Sequence, residues 1–61
     1  MYGATSNELG NTYKQIGTIL TIKKQYKEAL NYLFKAQAIS ELNNNMKLLA
    51  EVADKLDYLQ Q

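Results

Sequence analysis

The side chains able to do chemistry are few, and their spacing limits what that chemistry can be. Glu51, Asp54 and Asp57 share one short stretch. Paired carboxylates can move protons or hold calcium. Here Lys47 and Lys55 stand one helical turn to either side of Glu51, and no loop scaffold surrounds the acids. A solvated helix face with Glu51 paired to both lysines is expected. Lys23, Lys24 and Lys27 form a basic cluster that suits the negative end of a helix dipole better than a phosphate. Cys and His are both absent. Disulfides, thiolate nucleophiles, imidazole bases and most zinc sites are thereby excluded. No catalytic residue, metal ligand or cofactor site is expected, and the chain is not read as an enzyme. The seven basic residues are all Lys, against six acids, for a net charge of +1. Readout of nucleic acid favours the planar fork of Arg. A three-helix DNA-binding domain would also need a basic third helix, and this one sets two Lys against three acids. No nucleic-acid partner is expected.

These residues must be held by helices. The chain of 61 residues can form one small domain and contains no Pro to interrupt a helix. Thr5, Ser6 and Asn7 are good N-cap residues, and Thr5 with Glu8 has capping-box spacing. From there Leu9, Tyr13, Ile16 and Leu20 recur on one helix face, with Ile19 widening it. Gly17 sits inside that face. A helix-interior Gly costs about 1 kcal/mol against Ala, so its presence implies that another backbone comes close. Lys23, Lys24 and Gln25 end the first helix. The second carries Tyr26, Ala29, Leu30, Leu33, Ala36, Ile39 and Leu42, with Tyr32 directed outward and Phe34 beside the stripe. Asn43, Asn44 and Asn45 form the clearest break, since Asn both caps helices and tolerates the left-handed conformation. The third helix has Met46, Leu49, Val52, Ala53, Leu56 and Leu59 as its stripe, with Leu48 off it. The spacing predicts an all-α chain, with helices over about 6–23, 26–42 and 46–59. The first two form an antiparallel hairpin, and the third covers it.

Self-comparison adds an internal repeat. A shift of 40 lays Leu9 on Leu49 and Ile16 on Leu56, and a shift of 36 lays Tyr13 on Leu49 and Gly17 on Ala53. The central stretch resembles a tetratricopeptide repeat. The residues carrying the likeness are Tyr13, Ile16, Gly17 and Leu20 on the first helix, and Tyr26, Ala29, Leu33 and Ala36 on the second. The likeness covers Gly10 to Gln60, about one and a half repeats, in the longer form common in bacterial regulatory proteins. Two positions depart from the family: Lys24 stands where a turn Gly is usual, and Glu41 where Pro often ends the unit.

The resemblance implies an α-solenoid fragment that binds a protein or peptide partner without catalysis. It places Asn11, Lys14, Thr18, Thr21 and Ile22 of the first helix on a groove. Glu51, Asp54, Lys55 and Tyr58 of the third helix face them. Some family members hold a terminal carboxylate with a Lys and an Asn one turn apart. Here the Lys is Lys14, but Thr18 takes the Asn position. Tyr13 and Tyr26 are expected in the core. Tyr32, Tyr58 and Phe34 are candidate interface anchors. A chain this short buries a small core, so self-association into a homo-oligomer is the rival expectation. No membrane partner is expected, because the uncharged run from Gln15 to Ile22 is too short to span a bilayer. No secretory leader is visible at Met1–Ala4, and a cytoplasmic location follows as the expectation.

Overall fold

The computed structural model describes residues 6–60. They form three helices: α1 (Asn7–Ile22), α2 (Tyr26–Leu42) and α3 (Met46–Leu59). The fold is all-α, an antiparallel hairpin of α1 and α2 with α3 packed against α2. Contacts between α1 and α3 are sparse beside those each makes with α2.

Each helix begins and ends for local reasons. The cap of α1 is Ser6, whose Oγ accepts from the Leu9 N–H at 3.2 Å. The expected capping box of Thr5 with Glu8 involves Thr5, which lies outside the described residues. The α1–α2 turn closes as a Schellman motif. The Gln25 N–H reaches back to the Leu20 carbonyl at 2.8 Å, and the Lys24 N–H to that of Thr21 at 3.0 Å. The α2–α3 turn repeats the pattern, with Asn45 donating to Ser40 at 2.8 Å and Asn44 to Glu41 at 3.2 Å. Both turns place a non-glycine residue at positive φ, Lys24 at 65° and Asn44 at 54°. Asn45 then caps α3 by accepting from the Leu48 N–H at 3.2 Å.

Small residues let the helices meet. A Cβ added at Gly17 would lie 2.7 Å from Leu33 Cγ and 3.3 Å from the Ala29 carbonyl oxygen. Ala29 and Ala36 are fully buried. Gly17 is therefore the close-contact point that the sequence implied. Leu33, Ala36, Leu48, Val52 and Leu56 make the core, with Tyr13, Leu30 and Leu59 packed on its edge.

Four expectations are corrected. Leu48, placed off the stripe, is buried, while Met46 is 67% exposed and Ala53 is also exposed. The buried face of α3 turns toward Leu48 because α1 leaves room there: a Cβ at Gly10 would be 3.0 Å from Leu48 Cδ2. The matching caps Ser6 and Asn45 pair Leu9 with Leu48 and Tyr13 with Val52, in neither of the two expected registers. Tyr26, read as packing, is 44% exposed. It is the first residue of α2, at the end of the hairpin. Tyr32, read as outward, is half-buried, with its ring 5.8 Å from that of Tyr13. The Lys35 ammonium stands 5.6 Å from the centre of Tyr13 and 5.2 Å from that of Tyr32, close enough to favour both ring faces.

Candidate functional site

The hairpin and the cover helix leave a groove between α1 and α3. Its wider part, a cavity of about 360 Å³, is lined by Thr18, Thr21 and Ile22 of α1 and by Asp54, Lys55 and Tyr58 of α3. Its walls are mainly apolar. Ile22 is 74% and Tyr58 64% exposed, which is high for large apolar groups. The two Thr hydroxyls donate within α1, from Thr18 Oγ1 to the Lys14 carbonyl at 3.0 Å and from Thr21 Oγ1 to that of Gly17 at 2.8 Å.

The other part, about 290 Å³, is polar and includes Asn7, Asn11 and Lys14 of α1 and Lys47 and Glu51 of α3. The nine residues that the resemblance places on a groove each line one of the two parts: Thr18, Thr21, Ile22, Asp54, Lys55 and Tyr58 the apolar one, and Asn11, Lys14 and Glu51 the polar one.

An ion pair lines the polar part. The Lys14 ammonium is 2.6 Å from a Glu51 carboxylate oxygen, with the Lys side chain 18% and the Glu side chain 42% exposed. That hydrogen bond, then the charge of Lys14, holds the Glu51 carboxyl below its usual range. Lys47 and Lys55 add smaller pulls, and partial burial opposes them. The i,i+4 pairs expected for Glu51 with Lys47 and Lys55 are replaced by this contact, the one ion pair among the described residues. Sequence spacing favours partners on the same helix, and only the packing of α3 could bring Lys14 into reach. At the start of the groove Asn43 Nδ2 donates to Asn7 Oδ1 at 3.1 Å, tying α1 to the α2–α3 turn.

Among the described residues no group of His, Cys, Asp and Glu side chains could hold a metal ion. No described helix is long and apolar enough to cross a membrane. The sequence reading passed over Gly10, which packs against Ile39 and Leu48; a second Gly seven residues before Gly17, on the same helix face, was its signal. No family model, no curated protein and no solved structure matches the chain.

Proposed function

We propose that the chain is a non-catalytic protein–protein interaction module of tetratricopeptide-repeat type. It takes a peptide or a partner's helix along the α1–α3 groove. The observation that carries this reading is the apolar part of the groove, which Ile22 and Tyr58 line as exposed large apolar groups beside Thr18, Thr21, Asp54 and Lys55. The close approach of α1 and α2 at Gly17 supports the likeness to the repeat family.

Selection of peptides from a displayed library tests it. Peptides enriched on the native chain should bind Ile22→Ser and Tyr58→Ser variants roughly tenfold more weakly, the usual loss for an interface anchor. Phe34→Ser, whose residue does not line the groove, should bind them unchanged. Equal loss for all three, or for none, would remove the groove from the reading.

A second reading is self-association into a homo-oligomer. The exposure of Ile19, Phe34, Leu42 and Met46, at 45–67%, favours it. Light scattering on the eluting chain decides it, since a monomer at micromolar concentration excludes that role.

A further inference from the structure

We propose that the occupant of the apolar part of the groove is Tyr58 of a second copy of this chain. Two copies meet about a twofold axis, and each lays its Tyr58 ring between α1 and α3 of the other. The inference rests on the groove reading and names its partner.

A twofold contact needs one patch that carries both halves of the fit. The hole is the cavity of about 360 Å³, and Tyr58 stands in its lining with its own side chain 64% exposed. A cavity of about 150 Å³ accepts a benzene ring, so a phenol ring fits here with space to adjust. The hydroxyls of Thr18 and Thr21 donate to carbonyls of their own helix, at 3.0 and 2.8 Å. They leave no hydroxyl hydrogen without an acceptor, and the wall they form suits the apolar body of a ring. Ile22, at 74% the most exposed large apolar residue among those described, gains cover from the same ring.

Charge favours a second copy over an unrelated partner. The lining holds one acid and one base, Asp54 and Lys55. Adjacent residues on a helix do not face each other, and the one ion pair among the described residues is that of Lys14 with Glu51. Asp54 and Lys55 therefore enter no ion pair within the chain. A partner surface of one sign would satisfy one of them and repel the other. A twofold copy sets Asp54 against the partner's Lys55, and Lys55 against the partner's Asp54. A net charge of +1 leaves little general repulsion between copies.

The test uses the full chain. Light scattering across the micromolar range should show a dimer. Tyr58→Ser and Ile22→Ser should each weaken it about tenfold, and Phe34→Ser should leave it unchanged. Charge reversal then identifies the contact. Asp54→Lys alone and Lys55→Asp alone should each lose the dimer, because like charges meet twice. Mixed in equal amounts, the two variants should form a heterodimer, because every pairing is then opposite. In the native chain, a mixture of isotope-labelled and unlabelled copies should give nuclear Overhauser contacts from the Tyr58 ring of one copy to the Thr21 and Ile22 methyls of the other. That readout needs no variant to fold. A native chain monomeric throughout the range, a dimer lost with Phe34→Ser but not with Tyr58→Ser, or charge variants that are helical by circular dichroism yet fail to complement would each overturn the proposal. Peptides that bind a monomeric chain through Ile22 and Tyr58 would keep the groove and remove the second copy. Failure of the groove reading shows instead as library peptides that bind all three serine variants alike.

Discussion

A methyl group added at Gly17 would lie 2.7 Å from Leu33 Cγ and 2.8 Å from its Cδ2, and Leu33 is fully buried. The branch carbon of a buried Leu cannot swing aside, so overpacking exceeds the gain of about 1 kcal/mol in helix propensity. Gly17→Ala should lower stability by about 1–2 kcal/mol, seen as a lower urea midpoint. At Gly10 the nearest atoms are the methyl carbons Ile39 Cγ2 and Leu48 Cδ2, both at 3.0 Å. Those tips need give way only by a few tenths of an ångström, so Gly10→Ala should change stability far less than Gly17→Ala in the same titration. Lys24 presents the opposite case. Its φ of 65° suits Gly, and Lys24→Gly should raise stability by about 0.5–1 kcal/mol, a melting-temperature gain of a few degrees. Asn44, at 54°, should gain less from Gly because Asn tolerates this region. The aromatic start of α2, Tyr26, matched the repeat pattern by type, yet its packing was not legible, because spacing says nothing of how far a neighbour extends.

The third helix shows how far periodicity reaches. Its length and its Asn cap were legible because both depend on neighbours in sequence. Its buried face was not. Leu48 and Leu49 are adjacent, so either can begin a run of apolar residues at helical spacing. The pocket left by Gly10 chooses Leu48. Leu48→Ala should therefore cost about 2–4 kcal/mol, while Met46→Ala, at a site 67% exposed, should stay within about 0.5 kcal/mol. Thermal unfolding of the two variants checks the assignment, and equal losses would restore the stripe read from spacing. Asn45→Ala should cost about 1 kcal/mol through loss of the bond to the Leu48 N–H.

At the scale of the whole fold, the pair of Lys14 with Glu51 ties α1 to α3 electrostatically. The folded chain holds the Glu51 carboxyl below its ordinary value of 4.5. A carboxyl lowered on folding stabilises the folded state above its unfolded value and loses that contribution as pH falls through the folded one. The native chain should thus lose stability relative to Lys14→Met as pH drops below about 4.5, with the difference constant near neutrality. Chemical unfolding at several pH values reads it, and parallel curves would deny the pair any role in folding. Added salt should shrink the same difference at neutral pH, because the carboxylate is partly open to water.

What the sequence alone determined was the all-α class, the three helices with ends within a residue of those observed, and the close approach of another helix at Gly17. Each of these depends on residue type and on spacing within a turn or two, which caps, small side chains and helical periodicity express directly. Only the tertiary structure decided that Leu48 rather than Met46 is buried, that Tyr26 is exposed, and that Glu51 reaches Lys14 instead of the lysines on its own helix. Those choices depend on the rotation of α3 about its axis and its distance from α1, which are set by how volumes fit across the core and leave no mark in the order of residues along one chain.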